Sequence, residues 1–321
     1  MSNSEFKNRV YGCVVVKAIN ANYNADFSGL PRRLKSDGSF YATDKSFKWL
    51  VRNYIKKNYS DEKILFTKVY DKEFKDTVSL KEAFEIVTET NDLKNLKKKD
   101  ILPKLLDCID VRLFGAVFSP EDAKRDNKDE NKNISIHGAV QINHATDLYK
   151  KGRVYTDEIL APFTAIGSMS KATEAHYIHN FSINPKNLSS WENTISDIKV
   201  LSTNDVTILK NAFNNFATFY DSHSKAGVEN ELSIYVILNE DSILTLPSFS
   251  QFITFEKDKE GNNSFDITKL INYLFKYESE IEKIELYYIE ELLNVKNDSE
   301  SLSDKIKKHD LLTVAKNETD S

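Results

Sequence analysis

Cysteine is almost missing from this sequence. Only Cys13 and Cys108 occur among 321 residues, each inside an apolar run. That excludes a disulfide framework and predicts two buried free thiols in a reducing compartment. No run of about 18 apolar residues exists to cross a bilayer as a helix. The opening segment, Met1 to Lys7, lacks the apolar stretch of a secretory leader, so a cytoplasmic chain is expected. Internal repeats and low-complexity tracts are missing too, as are the signatures of dinucleotide, Walker-type, zinc-protease and hydrolase-elbow sites. His176 and His179 are three apart on an expected strand, which sends their side chains to opposite faces. His137 and His144 are seven apart, and no cysteine accompanies either pair. No metal and no cofactor are expected.

What is present is aromatic bulk and an uneven charge. Fifteen Tyr and 19 Phe supply the volume of a core, which excludes global disorder. The length suits one large domain or two small ones. The formal charge of −5 hides a gradient. Residues 1–60 carry eleven Lys/Arg against four Asp/Glu, whereas residues 240–321 carry ten Lys against eighteen Asp/Glu. A basic face of this kind can bind phosphates while the rest of the chain repels them.

Residues 9–19 form a short apolar run rich in β-branched residues and predict a buried strand. Residues 20–41 are a loop, marked by Asn20, Asn22, Asn24, Asp26, Gly29, Pro31 and Gly38. Thr43 or Asp44 then caps a helix reaching about Asn58, with Phe47, Leu50, Val51 and Tyr54 on one face. In the next stretch the pattern predicts a strand over 64–70, a helix over 80–88 and a basic turn over 94–99. A further helix is expected from about Pro103 to Phe114-Gly115, and a mobile loop over 119–133. Strands are expected over 134–142, 177–183, 232–238 and 284–289. Helices are expected after Ser202 or Asn204 and over 267–277, and a polar tail from about Lys296. Without the insertions the order is strand, helix, strand, strand, helix, strand. That is the α+β, ferredoxin-like βαββαβ pattern shared by RNA-recognition (RRM) folds.

The chemistry-bearing constellation follows the first strand. A helix N-terminus offers free N–H groups and partial positive charge to a phosphate. Thr43, Lys45, Ser46 and Lys48 surround that terminus, and Arg32, Arg33 and Lys35 precede it. Point charges, hydroxyls and amides track a phosphate backbone without reading bases. The Lys94–Lys99 run is a weaker, second basic cluster. Met169 is the one methionine besides the initiator, in the Gly- and Ser-rich stretch 165–171. At a loop tip it can wedge between bases or pack on its own subunit, and the wedge is the role expected of it.

Four motifs in order resemble the backbone subunit of type I CRISPR Cascade, subtype I-B (the "Cas-seven" or DevR family). They are the first strand with Asn20–Asn24 and Pro31-Arg32-Arg33; Ala42–Arg52; Asp110–Gly115 followed by Gly138–Gln141; and Ala165–Ser168 followed by His176–Pro185. The resemblance implies a non-catalytic, hand-shaped protein that binds CRISPR RNA. An RRM-like palm would comprise residues 1–60, 138–143 and 176–295, with fingers at 61–137, a thumb at 144–175 and a polar tail at 296–321. Copies would stack head to tail along the guide, beside other Cascade subunits, and present it to target DNA. Guide contacts are expected from Asn22, Arg32, Arg33, Thr43, Lys45, Ser46, Lys48, Arg52, Gly167, Ser168 and Met169. Target DNA is expected at Lys97, Lys98 and Lys99. Asp44 departs from the neutral residue common at its position. The alternative is a guide-directed endoribonuclease like type III backbone subunits, using Asp26 or Asp37 in the loop after the first strand.

Overall fold

The apolar run near the N-terminus is buried on both sides, which explains why it does not alternate with polar residues. In the computed structural model it forms β1 (Val10–Ala21), the centre of the main sheet. Residues 4–71, 73, 76–120, 132–160, 166–189, 191, 195, 198–299 and 301–313 are described. After β1 come β2 (Tyr41–Ala42), α1 (Asp44–Asn58), α2 (Leu80–Val87), α3 (Lys98–Leu106), α4 (Ile109–Phe114), β3 (Ala116–Phe118) and β4 (Ile134–Ile136). The middle of the chain gives β5 (Val140–Ile142), β6 (Ala145–Asp147), β7 (Val154–Leu160), β8 (Ile166–Ile183), α5 (Lys186–Ser189) and α6 (Thr203–Asn215). The last part supplies β9 (Val228–Leu238), β10 (Thr254–Lys257), β11 (Asn263–Asp266), α7 (Thr268–Phe275), β12 (Ile281–Tyr287), β13 (Leu293–Lys296) and β14 (Ile306–His309).

The main sheet runs β14-β12-β9-β1-β8-β6-β2, with β5 and β7 also paired to β8. β1 lies antiparallel between β8 and β9, in register Val14↔His179 and Val14↔Ser233. The sheet is covered on both sides. Against one face α1 and α6 bring Phe47, Leu50, Leu209 and Phe213 onto Val14, Val16, Tyr177 and Phe181. Against the other, Leu246, Phe249, Phe265 and Leu270 cover Cys13, Val15, Ile178 and Ile234. Gly12 keeps this packing possible: a Cβ there would stand 2.2 Å from the Ile234 carbonyl and 2.3 Å from the Phe181 ring. Both cysteines are free and buried, as their apolar runs imply, and burial pushes the Cys108 thiol up to about 12.

Several expected elements differ. The strand expected over 134–142 divides: β4 pairs with β3 in a separate two-stranded sheet, and only β5 joins β8. The division falls at Gly138, where a Cβ would meet the Gly115 amide at 2.1 Å. Residues 64–70 form no strand, because the Leu65 and Phe66 amides donate to the Asp110 carboxylate instead of a ladder. The helix expected from Pro103 starts earlier, at Lys98, and breaks at Asp107-Cys108. Arg112 Nη1 takes the Leu106 and Asp107 carbonyls at that break, at 2.8 and 3.0 Å. The tail is not all loop: β14 pairs in parallel with β12. Most of the loop expected over 119–133, and residues 314–321, lie outside the described residues.

Candidate nucleic-acid interface

Two short hairpins connect β1 to α1. The first closes through the Ala25↔Pro31 bridge and the second through Arg33↔Phe40. Asp26 Oδ1 accepts from the Ser28 and Leu30 amides at 2.8 and 3.0 Å, a side-chain-capped turn with Gly29 at φ +80°. Asp37 repeats the device, accepting from both the amide and the hydroxyl of Ser39. Those bonds hold its carboxyl below the usual carboxylate range. Each of the two acids proposed for catalysis thus serves a turn.

Asn22 and Asn24 fasten this loop to its surroundings. Asn22 is buried, and its amide group donates to the Gly29 carbonyl (3.1 Å) and to the Ser170 carbonyl of β8 (3.0 Å). Asn24 Oδ1 accepts from the amide and hydroxyl of Thr43, both at 3.0 Å. Behind them, Lys225 Nζ donates to the Tyr23 carbonyl at 2.8 Å, and burial lowers its pKa to about 8. Arg33 is exposed, with its guanidinium over the Phe40 ring. Arg32 is half-buried, bonded to the Tyr41 hydroxyl at 3.4 Å and lying over the Phe27 ring.

Thr43 is the N-cap of α1, its hydroxyl accepting from the Ser46 amide. Lys45 is exposed at that end. Lys48 is not free: it pairs with Asp44 at 3.0 Å, one turn back. Asp44 also meets His144 Nδ1 at 3.3 Å. The terminus therefore already holds one carboxylate. Arg52 turns inward, its Nε donating to the fully buried Asp110 at 2.9 Å and its guanidinium over Phe66 and Phe114.

The segment expected to form the thumb corrects one expectation. Met169 is not at a loop tip. It lies within β8, half-buried, opposite Asp157 of β7, with Ser168 opposite Glu158 and Gly167 opposite Ile159. Strand alternation continues through the Gly- and Ser-rich stretch because β7 supplies a partner for each of residues 166–172. Residues 161–165, between β7 and β8, lie outside the described residues. β8 runs unbroken from this hairpin into the main sheet, so no element boundary falls at 175–176. The Lys94–Lys99 turn is a 3-10 turn followed by the start of α3. The Lys97 amide donates to Asp100, and Lys97, Lys98 and Lys99 are all exposed.

Residue patterns missed Asn24, Tyr41, His144 and Phe27. The signal for the last was present in Asp26-Phe27-Ser28-Gly29, whose acid-first turn chemistry leaves the second position outside the hydrogen bonding. Among the described residues no group of three or more His, Cys, Asp or Glu is placed to hold a metal, and no helix is long and apolar enough to cross a membrane.

Comparison with solved structures finds a chain of a "CRISPR RNA-guided surveillance complex, pre-nicking". It is 13% identical, with a TM-score of 0.55, over 94% of this chain and 96% of that one. A chain of a "CRISPR RNA-guided surveillance complex" aligns at 14% identity and a TM-score of 0.47, over 94% of both. The first likeness shows a shared mixed α/β fold. No curated protein sequence matches. The family described as CRISPR-associated protein Cas7 matches residues 8–271, most of the length. The chain belongs to the CRISPR-associated protein Cas7 family.

Proposed function

We propose that this chain is a non-catalytic backbone subunit of a type I, subtype I-B CRISPR effector, which binds CRISPR RNA and stacks head to tail along it. The Cas7 family match over residues 8–271 carries the reading. The sheet order β9-β1-β8-β5 supports an RRM-like palm, since it puts the strands of a βαββαβ unit in the order 4-1-3-2. Residues 61–137 would be the fingers and 144–175 the thumb. The guide would run along the loop after β1, past Arg32, Arg33 and Lys45, and towards the base of the β7–β8 hairpin, to which Asn22 ties that loop. Arg52 would act from within, holding α1 against α4.

The test is co-expression with a guide RNA, followed by measurement of mass and nucleic-acid content. RNA-bearing oligomers are expected, and a monomer free of RNA in the presence of its guide overturns the reading. Cleavage finds no support in Asp26 or Asp37, both spent on turns. Incubating the filament with guide and complementary RNA, with and without magnesium, should leave the RNA intact. Cutting that disappears in Asp26→Ala or Asp37→Ala would restore the enzyme.

A further inference from the structure

The first hairpin after β1 presents a phenylalanine to solvent, with only the Arg32 guanidinium over one side of its ring. Phe27 is 104% exposed, the most exposed large apolar side chain among the described residues. Leaving such a ring in water forgoes the stabilisation that burial brings, and turn centres normally carry polar residues or glycine. The turn beneath it is rigidly built. Asp26 accepts from the Ser28 and Leu30 amides, its own amide donates to the Leu30 carbonyl at 2.8 Å, and Asn22 holds the Gly29 carbonyl. The ring is therefore preorganised for contact, and little ordering entropy would be lost on binding.

Two buried polar atoms of this region have no partner: Nε of Arg32, which lies over the ring, and Oδ1 of Asn22, which holds the turn. Arg32 lies with its guanidinium carbon 5.9 Å from the Phe27 centroid, and its one hydrogen bond, to Tyr41, is long at 3.4 Å. An aromatic face open to solvent, next to a cation with unused donors, suits a ligand that joins a flat ring to an anion. A nucleotide is such a ligand, and the excess of cations in residues 1–60 favours a polyanion.

We propose that Phe27 and Arg32 form a single-nucleotide clamp, in which the free face of the Phe27 ring stacks one base of single-stranded RNA and the Arg32 guanidinium pairs the neighbouring phosphate. The clamp rests on the RNA-binding reading above and adds to it a base-stacking position independent of sequence. Stacking on an aromatic ring tolerates any base, because every base has a flat face.

The test uses the full chain and single-stranded RNAs carrying 2-aminopurine at successive positions, with fluorescence and affinity both read. The wild type should quench one position per bound subunit. Phe27→Ala should abolish that quench and weaken binding by roughly five- to a hundred-fold, with a nearly unchanged melting temperature because the ring is fully exposed and meets only the Arg32 guanidinium. Phe27→Trp should keep both. Arg32→Ala should keep the quench and lower the salt slope by about 0.7. Wild-type affinity and quench in Phe27→Ala overturn the clamp while leaving the proposed function standing. Normal RNA binding with shortened oligomers would assign Phe27 to a neighbouring copy and overturns it too. A wild-type chain that binds no RNA overturns the proposed function itself, and the clamp with it.

Discussion

His176 and His179 lie on opposite faces of β8, as their spacing requires, and their environments drive them apart. His179 stands among apolar residues, bonded to the Tyr23 hydroxyl and the Asn143 carbonyl, and burial lowers its pKa to about 4. Burial also works against the charged form of His176, but Glu231 at 2.6 Å and Glu174 at 3.1 Å outweigh it and raise the pKa. The two contribute to stability with opposite sign. A histidine depressed on folding stabilises fully above the unfolded value near 6.5, and that contribution is lost as pH falls towards 4. A histidine raised on folding stabilises fully below about 6.5 and loses this as pH rises through its folded value. Melting temperatures recorded from pH 4 to 9 should therefore show a shallower acid-side decline in His179→Gln. His176→Gln should flatten the alkaline side. Parallel curves for both variants and the wild type would contradict these assignments.

Some elements here are joined by buried charge in addition to apolar packing. In α4, Asp110 accepts from Arg52 of α1 and from two amides of the following loop, while Arg112 pairs with Asp205 in the capping box of α6. The Asp-Val-Arg-Leu-Phe-Gly motif is thus a joint between three helices, a role its composition does not announce. The β7–β8 hairpin is held differently, by its ladder and by pairs such as Thr156 with Ser170. Met169 sits directly opposite Asp157, with Lys171 diagonal to it at 3.8 Å from that carboxylate. Like charges directly opposed destabilise a strand pair. Met169→Asp should consequently speed amide exchange across residues 154–172, whereas Met169→Lys should leave it slow. Equal exchange in both would show that the pairing is insensitive to charge.

Across the whole molecule the cations of the basic N-terminal stretch are not equivalent. Lys45 is exposed, whereas Lys48 already neutralises Asp44. If the proposed guide path is right, Lys45→Ala should lower the salt slope of RNA binding by about 0.7, without regard to spacer sequence. Lys48→Ala should lower it less, since its charge is partly spent. Equal slopes would mean that RNA displaces the Asp44 pair. Lys97, Lys98 and Lys99 project from the start of α3, far along the chain from that loop. Replacing all three with Ala should spare assembly on guide RNA and weaken capture of target DNA. Loss of assembly would refute their assignment to target.

The sequence by itself determined the elements whose hydrogen bonds close locally or whose pattern is strong. These include the two-sided apolar run of β1, the cap regions of α1 and α6 (Thr43 or Asp44, Ser202 or Asn204, of which the fold uses Thr43 and Ser202), the Gly115 stop of α4 and the burial of both cysteines. The strands and helices of the main sheet, β1, α1, α6 and β9 among them, were readable for the same reason, whereas the expected strand over 64–70 and the single helix from Pro103 were not realised. Tertiary structure alone decided which cations are free. Lys48 and Arg52 look like Lys45 in a string of letters, yet carboxylates from their own chain claim them. It also decided that the Gly- and Ser-rich stretch around Met169 is strand, because β-structure depends on a partner and β7 provides one. Phe27 shows the converse. Its type predicts burial, and only the fold reveals a ring left standing in water.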